Sequence, residues 1–196
     1  MRVPRRPLFV PALLAAACLS PRPDASRYYT LSPEAGPSAG RAPVAALGVG
    51  PVVLPPYLER NEFAFRVGPE QIAYASEERW AAPLSDLFVR ALGEDLRALV
   101  PATQVVPWPF PRISPPDLSV AVEVLRFETD PAGVVVLQAR FSLQAGAGGR
   151  VLARGETRFR EEVTPRHVGE AAAAMSRGIG ALARDVAGAA AGIPGR

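Results

Sequence analysis

Candidates for catalysis are few in this chain, because it has one cysteine, Cys18, and one histidine, His167. Zinc sites are built mostly from cysteine and histidine side chains, so the composition argues against a metal site. His167 lies beside Arg166 with no motif around it, and we expect a solvated residue at a helix start. Glu123 and Glu128 are separated by an odd number of positions, so in a regular strand their side chains would lie on opposite faces. We therefore predict no catalytic residues, no metal ligands and no enzymatic activity.

Two further catalytic or nucleotide-binding patterns are missing. The segment GVGPVV contains Gly48 and Gly50, but it lacks the third glycine and the following helix of a dinucleotide-binding loop. No G-x-S-x-G motif for a nucleophilic serine occurs in the sequence. We interpret the two glycines as a bend in a strand.

The chemistry that the sequence does support is covalent lipid attachment at Cys18. Three arginines precede an uncharged run, Pro7–Ala17, that is too short to span a bilayer, since a spanning helix needs about 20 residues. This layout is typical of an export signal with small residues at its cleavage site. Cleavage after Ala17 would make Cys18 the first residue, as in bacterial lipoproteins, although Ala15 occupies the usual leucine position. The alternatives are an ordinary signal with a free thiol and an incidental cysteine.

Removal of residues 1–17 changes the charge balance. The 22 basic residues are all arginine, and three of them lie in the predicted signal peptide, which leaves 19 arginines against 19 acidic residues. The mature chain therefore has no net basic character, and we predict no nucleic-acid partner. Apart from the lipid on Cys18, we expect no cofactor.

The mature chain divides into a tether and one domain. Residues 18–43 are rich in proline, serine and glycine and predict a tether, interrupted by a short strand in RYYTL. Residues 44–192 predict a globular domain. Leucine and alanine at spacings of three and four predict a helix within residues 82–99, and alanine-rich residues from 165 onward predict a second helix.

Strand patterns fill the rest of the domain. Alternating apolar residues from Leu118 onward, followed by two further strands separated by DPAG and GAGG turns, predict an antiparallel meander. Shorter strands are expected around residues 44–54, 63–67, 71–76 and 105–106. The order of elements predicts an α+β fold: a single domain with a mixed, mostly antiparallel sheet and two main helices packed on it.

Three aromatic residues are candidates for binding a partner. Tyr57 lies in LPPYL, Trp80 in RWAAP and Trp108 in PWPFP, contexts that we interpret as loops. An exposed aromatic side chain on a proline-rich loop can anchor a protein partner. The alternative is that each ring covers the hydrophobic core.

Several segments in this order resemble the PqiC/YmbA family, the auxiliary lipoproteins of ABC-type Mce transport systems. The segments are RYYTL, GVGPVVLPPYLER, RWAAPLSD, VVPWPFP, VEVLRFETD, ARFSL and RFRE. The resemblance implies a lipid-anchored, periplasm-facing accessory protein without known catalysis. It also implies an Mce-domain membrane protein as partner, a homo-oligomer, and a role in lipid traffic between membranes and in envelope integrity.

The residue after Cys18 bears on the membrane that would hold the anchor. Leu19 follows the cysteine, whereas retention in the inner membrane usually involves aspartate at that position. We therefore expect the lipid anchor to hold the protein at the periplasmic face of the outer membrane. A second hypothesis is a periplasmic module that holds a lipid or another apolar ligand between sheet and helices, and a third, weaker one is an envelope hydrolase.

Overall fold

The computed structural model describes residues 24–34, 36, 44–100 and 104–193. The predicted signal peptide, Cys18 and the first part of the predicted tether lie outside these residues. The strands are β1 (Arg27–Tyr29), β2 (Ala46–Val53), β3 (Glu62–Gly68), β4 (Gln71–Trp80), β5 (Gln104–Pro107), β6 (Leu118–Thr129), β7 (Val134–Ala145) and β8 (Val151–Glu162). The helices are α1 (Leu84–Leu99) and α2 (Val168–Ala191), and a 3₁₀ turn spans Pro56–Leu58.

The eight strands of the described residues form one mixed sheet around β6. Strand β7 pairs with β6 along its length and then with β8, so the predicted antiparallel meander is confirmed. The other edge of β6 is shared by β2, near the start of β6, and β3, near its end, both parallel to it. The path β1-β4-β3-β6-β2-β5 places β1 and β5 at its opposite ends.

The two helices lie side by side on one face of this sheet, and the core lies between them and the strands. Helix α1 packs on β2 and β5, and α2 packs on β7 and β8. The apolar stripe of α1, for example Phe88 and Leu92, is fully buried, and the Phe88 ring meets Phe127 of β6 edge-on at 5.3 Å. Burial of each such side chain contributes about 1.5–3 kcal/mol. The predicted α+β fold is therefore confirmed.

A β-bulge in β6 corrects one expectation. Val124 pairs with Ala139 and Arg126 with Gln138, so Leu125 is an extra residue without a partner on β7. An extra residue reverses the alternation of side chains beyond it. Glu128 therefore shares the outer face of the sheet with Glu123, and the expectation that they face opposite sides was wrong.

The folded domain begins before residue 44, within the predicted tether. Strand β1 confirms the predicted strand in RYYTL and pairs in parallel with β4. Beyond it Leu31 is fully buried, and the backbone N–H of Ser32 donates to Ser176 Oγ of α2 at 3.1 Å. The N–H of Glu34 donates to Asp95 Oδ1 of α1 at 2.7 Å. Residues 31–34 therefore lie across both helices.

Among the described residues, neither helix combines the length and the apolar character needed to cross a membrane.

Candidate functional site

Trp80 belongs to the core and not to a loop. It is the last residue of β4, its side chain is 4% exposed, and its ring lies 5.0 Å from that of Phe63. Its backbone N–H donates to the carbonyl of Asn61 at 2.7 Å. The predicted loop context was wrong, and the alternative of a ring in the core describes Trp80. Such a buried indole offers no docking surface.

Tyr57 lies in the 3₁₀ turn, and its hydroxyl points into a buried polar cluster. The hydroxyl donates to Glu128 Oε2 at 2.8 Å, and Glu128 is 1% exposed. Arg66 Nε and Arg126 Nε donate to Glu128 Oε1 at 2.6 and 2.8 Å. The N–H of Phe127 donates to Oε2 at 3.0 Å. We call Glu128, Tyr57, Arg66 and Arg126 the Glu128 cluster.

The electrostatics of the Glu128 cluster favour an ionised carboxylate and a neutral phenol. Burial acts to raise the pKa of Glu128, but hydrogen bonds from the two guanidinium groups and the phenol outweigh it, so this pKa lies below its usual 4.5. Burial, followed by the hydrogen bond to the carboxylate, raises the pKa of Tyr57 to about 12. Each oxygen of the Glu128 carboxylate therefore accepts two hydrogen bonds, so the charge is fully compensated within the fold.

The Glu128 cluster joins β6 to two elements that lie more than 60 residues earlier in the chain. Tyr57 brings the 3₁₀ turn, Arg66 brings β3, and Glu128 lies on β6. Tyr74 of β4 adds a hydrogen bond from its hydroxyl to the Tyr57 carbonyl at 3.0 Å, and the guanidinium of Arg60 lies 4.5 Å from the Tyr74 ring centre. The arrangement fixes the β3–β4 hairpin on the sheet, so Tyr57 has a structural contact that the sequence did not reveal.

Trp108 is the exposed aromatic residue of the three predicted candidates. It follows β5, its side chain is 56% exposed, and its backbone N–H donates to the carbonyl of Val49 at 2.9 Å. Gly50 lies directly beneath it with φ of 115°, and a Cβ there would come within 2.7 Å of Trp108 Cβ. Glycine is required at this point for both the backbone conformation and the close approach.

Trp108 borders a groove of about 620 Å³ between α1 and the edge formed by β2 and β5. We call it the Trp108 groove. Its apolar lining includes Val52, Val89 and Val105, and Arg90, Glu94 and Arg97 of α1 provide charged groups along one side. Beyond Trp108, the Phe110 ring covers Gly48, and the side chain of Ile113 is fully exposed. Neither the groove nor the exposure of Ile113 was predicted, although the proline-dense segment PWPFPRISPP marked the region.

The remaining candidates for chemistry have structural roles. His167 Nδ1 accepts the N–H of Glu170 at 3.1 Å and caps α2, which confirms its place at a helix start. Within the described residues, no group of three or more histidine, cysteine, aspartate or glutamate side chains could hold a metal ion. Gly178 of α2 lies against the sheet, where a Cβ would be 3.1 Å from Phe159. The interface between helix and sheet is therefore filled at this point, where the apolar-ligand hypothesis placed a pocket.

In the part of the chain that the structure describes, an eight-stranded mixed sheet carries two helices on one face and a groove at the β5 end, which defines an α+β domain. The chain belongs to the family of ABC-type transport auxiliary lipoprotein components, whose family model matches residues 29–187. The resemblance seen in the sequence is confirmed at the level of this family.

Two solved structures share the fold. Protein XCC0632 from Xanthomonas campestris, assigned to the family DUF330, superposes with a TM-score of 0.70 at 17% identity, covering 83% of this chain and 93% of that one. The crystal structure of an uncharacterized protein gives a TM-score of 0.66 at 20% identity, covering 83% and 96%. A comparison with curated proteins found no match.

Proposed function

We propose that this chain is a lipid-anchored accessory protein of an Mce-type ABC transport system. Its family membership makes it an auxiliary lipoprotein component of ABC-type transport. The finer parts of the proposal are an anchor on Cys18 at the periplasmic face of the outer membrane, an Mce-domain membrane protein as partner, and a contribution to envelope integrity. It acts by docking and not by catalysis.

The Trp108 groove is the surface on which we place the partner. Trp108 is 56% exposed and lies above a concave surface with valines at its floor and charged groups of α1 at its rim. Binding energy at protein interfaces concentrates in a few buried aromatic and arginine anchors surrounded by a polar rim. The exposed indole beside this groove is the observation that carries the docking proposal.

The lipid on Cys18 would keep the docking surface in the envelope. Acyl chains contribute about 0.8 kcal/mol per buried CH₂, and stable attachment takes about two chains. Lipoprotein cysteines carry more than one chain, so the anchored protein would stay in its leaflet. A homo-oligomer, which the family resemblance implies, would present several grooves to one partner.

The test is a pull-down from native envelopes in mild detergent, with partners identified by mass spectrometry. We expect wild type to recover an Mce-domain protein and Cys18→Ser to lose it, because the unanchored chain leaves the membrane. Trp108→Ala should keep the anchor and weaken binding by about thirtyfold, which corresponds to about 2 kcal/mol. Tyr28→Ala is the matched control, since Tyr28 is 60% exposed and lies on β1, at the other end of the strand path.

Two results would contradict the proposal. Recovery of no Mce-domain protein with anchored wild type would remove the proposed partner. Equal recovery by Trp108→Ala and Tyr28→Ala would show that the partner binds elsewhere on the domain.

A further inference from the structure

A second groove lies on the β3–β4 hairpin, beside β1 and the loop that precedes α2. Its volume is about 400 Å³. The floor is apolar and consists of Phe65, Val67, Ala73 and Ala75. Its rim carries two arginines and two glutamates, Arg27, Arg166, Glu77 and Glu78. We call this surface the hairpin groove.

The rim of the hairpin groove is held in place by neighbouring turns. Arg166, in the loop between β8 and α2, has a φ of 59°, a conformation that is uncommon for a residue other than glycine. That loop is fixed to the β6–β7 turn, because the N–H of Val163 donates to the Gly133 carbonyl at 2.8 Å. A Cβ on Gly133 would lie 2.1 Å from the carbonyl oxygen of Val163, so the turn admits glycine alone. Arg166 therefore stands at the rim on a well-supported loop.

The chain enters the domain beside this groove. Arg27 of β1 lines the groove and pairs with Glu78 of β4 by a salt bridge. Because β1 runs parallel to β4, the residues before Arg27 point back along β4 toward the hairpin. The entry is held further by Asp24, which accepts the N–H of Ser26 at 3.0 Å, and by Arg79, which donates to Ser26 Oγ at 3.2 Å.

The length of chain before the entry limits the distance to the membrane. Six residue steps separate Cys18 from Asp24, and a fully extended chain spans at most about 3.6 Å per residue, or about 20 Å in all. A lipid on Cys18 would therefore hold the β1 end of the domain close to the bilayer surface. The predicted tether of residues 18–43 would have allowed any orientation, but residues 24–34 are part of the fold.

We propose that the hairpin groove faces the bilayer and binds a phospholipid of the leaflet that anchors Cys18. This inference rests on the lipid attachment in the proposed function and adds the membrane-facing surface and its ligand class. The apolar floor suits acyl chains. Arg27 and Glu78 are paired with each other, and the exposed Arg166 and Glu77 fit a zwitterionic headgroup, with Arg166 toward the phosphate and Glu77 toward the amine. The Trp108 groove, near β5, then points toward the other end of the strand path.

The experiment measures the depth of spin labels on the full-length acylated protein in nanodiscs of phosphatidylethanolamine and phosphatidylcholine. Acylation blocks the one native thiol, so an introduced cysteine reacts alone. Ser76→Cys places the label at the exposed edge of the hairpin groove, and Val67→Cys is a second position in case the first variant folds poorly. Ile113→Cys, on the fully exposed residue of the β5–β6 connection, is the control.

We expect collisions with oxygen, which concentrates in lipid, to exceed collisions with a water-soluble nickel complex at position 76 or 67. The control at position 113 should show the opposite ratio. Equal, water-like ratios at both places in acylated protein would overturn the inference. A label shielded from both reagents and broadened by a neighbouring label would show that a second copy covers the groove, and would also overturn it.

The same samples separate this inference from the proposed anchor. If Cys18 is not acylated, the protein takes up two labels and its mass lacks the lipid. That result would overturn the anchor and the membrane-facing groove together. Acylated protein with a water-exposed groove would overturn the groove alone.

Discussion

At the scale of single residues, Glu128 is a charged side chain that is almost fully buried. Its carboxylate is 1% exposed and accepts hydrogen bonds from Arg66, Arg126 and Tyr57. Removal of one partner from such a cluster is costly because the remaining charges stay desolvated. Glu123, on the same strand and the same face, makes an ion pair with Arg140 at 3.8 Å in which both side chains are about 60% exposed.

Glu128→Gln should destabilise the domain by about 2 kcal/mol at neutral pH, because two guanidinium groups lose their shared counter-charge. Glu123→Gln is the control and should cost less than about 1 kcal/mol, as exposed ion pairs do. Urea unfolding of both full-length variants against wild type measures the difference. Equal effects would show that the buried cluster contributes no more than a surface pair.

The difference in stability between wild type and Glu128→Gln should depend on pH. The folded state lowers the pKa of Glu128, so its contribution is present above the unfolded value of 4.5 and is lost as the pH falls through the lower folded pKa. The gap between the two urea midpoints should therefore narrow in acid. If the difference between the two urea midpoints stays constant at every acidic pH tested, Glu128 is not ionised in the native state.

At the scale of elements, the glycines of α2 differ in what surrounds them. A Cβ on Gly178 would lie 3.1 Å from Phe159 Cδ1 and 3.4 Å from Leu137 Cβ, both on the sheet. A Cβ on Gly188 would meet no atom within 4 Å. Glycine weakens a helix at both positions, but only Gly178 is required for close packing of α2 on β7 and β8.

Gly188→Ala should stabilise the protein by about 0.5–1 kcal/mol, because alanine has the higher helix propensity and fills open space. Gly178→Val should destabilise it, since the branched side chain would force α2 away from Phe159. Thermal unfolding monitored by circular dichroism distinguishes the two. Stabilisation by both substitutions would mean that α2 does not pack on the sheet at Gly178.

At the scale of the whole molecule, the N-terminal segment is part of the domain. Leu31 is fully buried although it lies within the stretch that composition assigns to a tether. Leu31→Ala should cost about 2–4 kcal/mol, as expected for a cavity in the core. Ile113→Ala, at a fully exposed residue, should change stability by less than about 0.5 kcal/mol. Similar urea midpoints for the two variants would show that residues 24–34 belong to the tether and do not stabilise the domain.

Because residues 24–34 pack on the domain, an anchor at Cys18 would also orient the domain relative to the membrane. The hairpin groove lies beside β1, where the chain leads back to Cys18, and the Trp108 groove lies beside β5, at the other end of the strand path. A free tether of 26 residues would leave both surfaces free to face any way. A connection of six residues would hold one end at the membrane and present the other to a partner.

Sequence patterns predicted much of this fold because their causes are local. The alternation of β6 to β8, the helical spacing in α1 and the turn residues between strands each depend on neighbours within a few positions. The family could also be recognised, since its segments occur in order along the chain. The exposure of Trp108 also has a local cause, because it follows the last residue of β5 and precedes Pro109, which has no N–H to continue the pairing.

The sequence by itself determined the type and order of most elements and the candidate anchor at Cys18. Only the tertiary structure decided that Trp80 is buried, that Leu31 belongs to the core, and that Glu128 shares a face with Glu123. The physical reason is the same in each case. Burial and strand register depend on residues far away in sequence, as in the packing of Phe63 against Trp80. In β6, the unpaired residue Leu125 changes the face of the sheet on which each later side chain of the strand lies.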